Sequence, residues 1–192
     1  MKNIAIFASG NGSNAENIAT YFKSDSRVNI KTVLTNNENA TVIKRMEPLG
    51  IPTIYFSKPT WSNGEKIVNY LREEKIDLIV LAGFMNLIVK PIIEAYDNRI
   101  INIHPSLLPK FGGKGMYGMN VHKAVINAGE HKSGITIHYV TEEMDNGNII
   151  FQTECDVLPE DTPEVLAERI HSLEYIYYPR VINKILFGNH IY

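Results

Sequence analysis

The sequence predicts a single α/β domain with a doubly wound, mainly parallel sheet. Short continuous apolar runs are typical of parallel strands buried on both faces, and helical patterns alternate with these runs. The length of 192 residues is a little over the roughly 150 residues of one domain, and 44% of the residues are hydrophobic. A core of this size needs no disulfide or metal to hold it together.

Five apolar runs are predicted as parallel strands, at residues 3–8, 28–34, 51–56, 77–82 and 99–103. Helical patterns at residues 14–22, 41–49 and 65–75 each close a βαβ unit. Residues 87–96 also have helical spacing, and a further helix is expected at 120–128.

The pattern changes after Gly129. Two alternating segments, 134–140 and 148–153, flank Asp145-Asn146-Gly147, a hairpin turn signal that predicts antiparallel strands at the end of the sheet. A last helix begins at Thr162, the predicted N-cap. Its predicted core stripe is Val165, Leu166, Ile170, Leu173, Ile176 and Ile182.

Charge and composition exclude several classes of function. With 19 Lys and Arg against 21 Asp and Glu, the net charge is -2, and there is no basic stripe for nucleic acid. Cys155 is the single cysteine, and no zinc-ligand spacing is present, so neither a disulfide nor a metal is expected. The apolar runs are too short to span a bilayer, which predicts a cytoplasmic protein without membrane contact.

The segment Ser9-Gly10-Asn11-Gly12-Ser13-Asn14 joins the first strand to the first helix. Glycines allow the backbone to approach an anion, and the helix N-terminus favours negative charge, so this turn is a candidate phosphate cradle. The segment also fits the dinucleotide pattern G-x-G-x-x-A, but no acidic residue follows the second strand to bind a ribose. A monophosphate is favoured over NAD; the alternative is a tight turn without a ligand.

Asn102 and His104 lie at the carboxyl end of the fifth strand, where open α/β sheets place their active sites. Alternate strand residues share a face, so an amide and an imidazole converge there. Pro105 and Pro109 stiffen the segment that follows. The alternative is that His104 is only packed at a strand end.

Asp145 has two interpretations. It is a turn residue before Asn-Gly, or its loop folds over the fifth strand and the carboxylate orients His104 and favours an imidazolium. His138 either lies near this site or fills the sheet surface. Sequence spacing leaves both questions open.

Together, residues 9–14, the segment Leu81-Ala82-Gly83-Phe84-Met85, residues 102–109 and residues 145–147 resemble the phosphoribosylglycinamide formyltransferases. This family of the folate-dependent formyltransferase superfamily matches over nearly the whole chain. The resemblance implies a Rossmann-like formyltransferase fold and one catalytic domain over residues 1–192. It also implies formyl transfer from 10-formyltetrahydrofolate to the amine of glycinamide ribonucleotide, in purine synthesis, by direct attack through a tetrahedral intermediate and without a metal.

The resemblance also assigns residues to roles. It implies that Asn102, His104 and Asp145 are catalytic and that Gly12, Ser13 and Asn14 bind the substrate phosphate. Glu174 is placed near the ribose or glycinamide end of the same substrate. The folate is expected to lie against two segments: Met85, Asn86, Leu87 and Ile88, then Val140, Thr141, Glu142, Glu143 and Met144.

Two departures from the family stand out. Asn86 replaces a frequent Arg, which removes an expected cation near the folate. Residues 111–118 are longer and richer in glycine than usual. They form either a mobile lid, with Lys114 as an extra phosphate contact, or a surface insertion.

Other functions remain as alternatives. A formyltetrahydrofolate hydrolase shares the Asn, His and Asp group but usually carries an N-terminal regulatory domain. A methionyl-tRNA formyltransferase needs an RNA-binding domain and positive charge. A non-catalytic nucleotide-binding module leaves Asn102 and His104 without a purpose. The expected partners are small molecules only, and both a monomer and a homodimer are possible.

Overall fold

The computed structural model describes residues 1–188 and contains two compact units, one of residues 1–102 and one from Ile103 onward. Seven strands and seven α-helices occur in the described part of the chain, which confirms the α/β class. No helix in residues 1–188 is both long enough and apolar enough to cross a membrane.

The parallel strands lie in the first unit, except for the last two residues of β5. Strand β1 (Lys2–Phe7) pairs in parallel with β2 (Val28–Thr35) and with β4 (Leu78–Leu81). Strand β3 (Thr53–Tyr55) pairs with β2, and β5 (Ile100–His104) pairs with β4. All five predicted parallel strands are therefore confirmed.

The third strand is shorter than the predicted 51–56. Pro52 has no N–H to donate, and its carbonyl accepts the Val33 N–H at 2.9 Å just before the strand begins. Proline has a similar effect at the end of the second predicted helix. Helix α2 (Thr41–Met46) changes into a 3₁₀ turn at Glu47–Leu49, which contains Pro48.

The remaining helices of this unit are α1 (Ser13–Phe22), α3 (Lys58–Asn63), α4 (Glu65–Glu73) and α5 (Lys90–Ala95). Helix α3 was not predicted, because its six residues are too few for a periodic pattern. Trp61 on α3 is buried and packs edge-on against Phe7 at 5.2 Å between ring centres. Helix α5 begins only at Lys90, so residues 87–89 of the predicted helical stretch are not helical.

The second unit contains α6 (Met119–Asn127), β6 (Lys132–Tyr139), β7 (Ile149–Asp156) and α7 (Pro163–Phe187). Strands β6 and β7 are antiparallel, as predicted. The predicted strands 134–140 and 148–153 leave residues 141–147 as their connection, and the observed loop of residues 140–148 is close to it. The Tyr139 N–H closes this loop by bonding to the Asn148 carbonyl at 3.0 Å.

Helix α7 begins as predicted, since the Thr162 hydroxyl accepts the Val165 N–H at 3.3 Å. The predicted core stripe is partly wrong, because Val165 and Ile176 are exposed. The buried residues of this helix recur about every four positions, and one of them, Glu174, is a charged residue type. Its members are Leu166, Ala167, Ile170, Glu174, Tyr178, Pro179, Val181 and Ile182.

Two glycine substitutions in the turn between β1 and α1 are expected to differ strongly in their effect on the free energy of unfolding. In Gly12→Ala the new Cβ lies 2.8 Å from the Cα of Val42, at a φ of +78° that disfavours any side chain. We expect the free energy of unfolding to fall by about 2 kcal/mol in a urea titration. Gly10→Ala is the matched control, because nothing lies within 4 Å of its new Cβ. Equal loss in both variants contradicts this packing.

Candidate active site

Strand β5 carries the first two candidate residues. Asn102 and His104 alternate along it and so lie on one face of the strand. The His104 side chain is buried, and Asn102 is half-buried. Both therefore lie at the carboxyl end of a parallel strand, where the sequence places them.

The His104 ring is held from both sides. Its Nε2 is 2.8 Å from the carbonyl oxygen of Phe111, and its Nδ1 is 3.5 Å from Oδ2 of Asp145. A carbonyl only accepts, so Nε2 carries a proton, and Nδ1 can donate only when the ring is an imidazolium.

Asp145 reaches this ring from the loop of residues 140–148. Its Oδ2 also accepts the Gly113 N–H at 2.9 Å, and its side chain is only 10% exposed. The loop therefore folds so that the carboxylate faces His104, which is one of the two arrangements that the sequence leaves open. Asp145 itself has a φ of +55°, a left-handed conformation that Asp tolerates better than most residues.

His138, on β6, faces the other oxygen of the same carboxylate. Its Nε2 is 3.7 Å from Oδ1 of Asp145, and its Nδ1 is 2.8 Å from the Tyr139 carbonyl oxygen. Burial lowers the pKa of His138, although the Tyr139 carbonyl and Asp145 act in the opposite direction. His138 thus lies near the site, which is one of the two positions that the sequence leaves open.

The glycine-rich segment of residues 111–118 begins in contact with His104 and Asp145. Phe111 contacts His104 through its carbonyl, and Gly113 contacts Asp145 through its N–H. A Cβ at Gly112 would lie 2.5 Å from Leu108 Cδ2, so this glycine packs against the Leu108 side chain. The interpretation of the whole segment as a surface insertion is therefore wrong for residues 111–113. Lys114 is exposed.

The glycine turn lies in the first unit and is fixed by its neighbours. Gly12 is the left-handed N-cap of α1, and the Gly10 carbonyl accepts the Val42 N–H at 3.1 Å. Arg45 donates from Nε to the Asn11 carbonyl at 2.9 Å and pairs with Glu16. Ser13 and Asn14 are the first residues of α1, so their backbone N–H groups lie at the end of the helix that attracts anions.

The segment after β4 is tied to this turn. Ser9 Oγ accepts the Met85 N–H at 2.9 Å, and the Ser9 N–H donates to the Gly83 carbonyl at 3.0 Å. Met85, Asn86 and Leu87 are exposed, whereas Ile88 is buried. Three consecutive side chains at the end of a strand are therefore available to a ligand.

The second segment with an expected folate role is the loop after β6. Val140 is half-buried, and four residues that follow it are exposed: Thr141, Glu142, Glu143 and Met144. The Thr141 hydroxyl donates to the Glu143 carbonyl at 3.1 Å, which shapes the loop locally.

Helix α7 carries a pair formed by His171 and Glu174. Glu174 is named as a site residue from the sequence, whereas His171 is missed. Glu174 is buried, and its Oε2 accepts from Nδ1 of His171 at 3.0 Å. This bond raises the pKa of His171. Their spacing of three residues on a helix was the available signal, since such pairs face each other.

His122, on α6, was also missed. It is buried, and its Nδ1 has no hydrogen-bond partner among the described residues. Burial lowers the pKa of His122, and the charges of His171 and His104 lower it further. Within residues 1–188, no three His, Cys, Asp or Glu side chains are grouped to hold a metal ion.

Comparison with known proteins identifies close relatives. The family model described as formyl transferase matches residues 2–182. Phosphoribosylglycinamide formyltransferase of Bacillus subtilis is 41% identical over 97% of this chain and 95% of its own length. The chloroplastic phosphoribosylglycinamide formyltransferase of Arabidopsis thaliana is also 41% identical, over 96% of this chain, which spans 65% of that relative.

Solved structures agree. The crystal structure of phosphoribosylglycinamide formyltransferase from Bacillus halodurans matches with a TM-score of 0.87 and 38% identity, over 97% of this chain and 96% of that one. Glycinamide ribonucleotide transformylase 1 from Geobacillus kaustophilus matches with a TM-score of 0.88 and 36% identity, over 97% of this chain and 99% of that one.

The pair on α7 predicts a specific titration. Glu174→Gln lowers the pKa of His171 toward its usual value, as measured by NMR titration of the ring, because the charged acceptor is lost. Since the pKa of His171 is raised in the folded protein, the pair stabilises the fold below about pH 6.5, the ordinary value. This stabilisation is lost as the pH rises through the folded pKa. Glu160→Gln, at an exposed position before α7, is the control that leaves this titration unchanged, because within residues 1–188 Glu174 is the one carboxylate that shifts the pKa of His171. An unaltered His171 pKa in Glu174→Gln contradicts the assignment.

Proposed function

The chain belongs to the formyl transferase family, and on that premise we propose that it transfers the formyl group of 10-formyltetrahydrofolate to the amine of glycinamide ribonucleotide. We further propose that residues 1–192 act as one catalytic domain. The observation that carries this function is the position of Asn102 and His104 on one face of β5, with the Asp145 carboxylate 3.5 Å from the imidazole.

Formyl transfer needs donors aimed at the oxygen of the tetrahedral intermediate. When the substrate amine attacks the formyl carbon, negative charge develops on the formyl oxygen. The Asn102 amide and the His104 imidazolium supply the donors. Asp145 stabilises the imidazolium and does not itself contact the formyl group.

The proton balance needs no covalent enzyme intermediate. The attacking amine loses a proton and the leaving folate nitrogen gains one, and a water molecule carries the proton between them. The bond from the formyl carbon to the substrate nitrogen forms before the bond to the folate nitrogen breaks. The role of the enzyme is thus to orient the reactants and to stabilise the negative charge that develops on the formyl oxygen.

The substrates bind through features that need little positive charge. Gly12, Ser13 and Asn14 bind the ribonucleotide phosphate at the N-terminus of α1, and Glu174 binds the ribose or glycinamide end. The folate binds along the exposed residues Met85, Asn86 and Leu87, with backbone contacts from Ile88. The folate also contacts the loop residues Val140, Thr141, Glu142, Glu143 and Met144.

The proposed setting is the cytoplasm, where a free thiol such as Cys155 stays reduced. The proposed partners are glycinamide ribonucleotide and the folate, without nucleic acid. The enzyme acts as a monomer or a homodimer, and sedimentation at micromolar concentration distinguishes these states.

The central test follows folate deformylation with and without glycinamide ribonucleotide. We expect turnover only when the ribonucleotide is present. Turnover that is independent of the ribonucleotide overturns the transferase and supports a hydrolase.

Two variants test the donors in the same assay. Asn102→Ala and His104→Ala each lower kcat on the order of 100- to 1000-fold, because each removes one donor to the oxyanion. His131→Ala replaces an exposed histidine of the same unit and keeps normal turnover. Circular dichroism and the thermal midpoint confirm the fold of each variant. Near-normal kcat in either donor variant contradicts the mechanism.

A further inference from the structure

Helix α2 holds the glycine turn from one side. The Gly10 carbonyl accepts the Val42 N–H at 3.1 Å, and the Asn11 carbonyl accepts a hydrogen bond from Nε of Arg45 at 2.9 Å. Val42 and Arg45 are three residues apart, so they lie on the same face of α2. Two consecutive carbonyls of the turn are therefore bonded to this helix.

The direction of these carbonyls fixes the direction of two amides. A peptide unit is planar and trans, so its N–H points opposite to its C=O. Since the Gly10 and Asn11 carbonyls face α2, the N–H groups of Asn11 and Gly12 point away from that helix. Neither N–H has a hydrogen-bond partner among residues 1–188, although Gly12 is buried. Because buried N–H groups are seldom unpaired, these amides are available to an anion.

The Arg45 side chain is itself fixed in place. Its Nη1 pairs with the Glu16 carboxylate on α1 while its Nε bonds to the Asn11 carbonyl, so one guanidinium connects α2 to both the turn and the next helix. A planar guanidinium presents its donors in a rigid fork, which suits two separate acceptors. Asn11 is exposed, so burial of its side chain does not fix the peptide that follows it. The bond from Arg45 supplies that constraint.

We propose that Arg45 is a positioning residue for the ribonucleotide phosphate: by bonding to the Asn11 carbonyl, it keeps the Gly12 N–H directed at the anion. This inference rests on the function proposed above, in which the glycine turn binds the phosphate. If the peptide between Asn11 and Gly12 turned over, its carbonyl oxygen would face the phosphate, and the partial negative charge of that oxygen would repel the anion. Arg45 touches neither the phosphate nor the reacting atoms and acts only through the turn.

A first test uses the free protein and does not depend on its activity. The probe is inorganic phosphate, and amide ¹H–¹⁵N NMR spectra follow its addition. We expect the signals of Asn11 and Gly12 to shift as phosphate is added, because their N–H groups face the anion. If neither signal shifts, the inference is overturned, whichever reaction the protein catalyses.

A second test compares two variants that separate the hydrogen bond from the charge. In Arg45→Gln an amide nitrogen takes the place of Nε, and in Arg45→Met a methyl group does, so both lose the charge but only the second loses the donor. In Arg45→Met we expect the KM for glycinamide ribonucleotide to rise about tenfold, the effect of one hydrogen bond, with kcat and the folate KM unchanged. The dissociation constant of inorganic phosphate rises in parallel. Arg45→Gln restores most of this loss.

Lys44→Met is the matched control, because it removes the same charge from the neighbouring, exposed position of α2. Its KM for the ribonucleotide stays as in the wild type. Three results overturn the positioning role: an unchanged KM in Arg45→Met, an equal rise of KM in both Arg45 variants, or a loss in kcat alone that follows the folded fraction. Absence of ribonucleotide-dependent turnover in the wild type instead refutes the proposed function, and the phosphate titrations are unaffected by it.

Discussion

The hydrogen bond from the Gly113 N–H to the Asp145 carboxylate is the contact on which the candidate site depends. It joins the glycine-rich segment after β5 to the loop between β6 and β7, at 2.9 Å. Neither loop has regular secondary structure, and this bond is a direct contact between them. Gly112 packs against the Leu108 side chain beside this bond, and Gly113 itself has a φ of +87°, a conformation that favours glycine.

Backbone carbonyls complete this arrangement. Because the Phe111 carbonyl takes the Nε2 proton of His104, only an imidazolium can present a donor from Nδ1. The Asp145 carboxylate faces that nitrogen at 3.5 Å. The proposed mechanism uses the charge of the ring, together with the Asn102 amide, to stabilise the oxyanion.

The sequence predicts the fold better than it predicts the surroundings of the site. Parallel strands are predictable because continuous apolar runs are local signals, and the Asn102 and His104 pair follows from strand alternation. The short helix α3 and the loop of residues 140–148 have no periodic signal. The contacts of Asp145 with His104 and Gly113 join residues far apart in the chain, and the buried Glu174 breaks the rule that charged residues are exposed.

The most direct measurement of this account is kcat for formyl transfer in Asp145→Asn. The amide has the same shape as the carboxylate and can still accept the Gly113 N–H, but it carries no charge to favour the His104 imidazolium. The account predicts a fall in kcat on the order of 100-fold or more, with a native thermal midpoint and little change in either KM. A variant that folds normally and keeps wild-type kcat would contradict it.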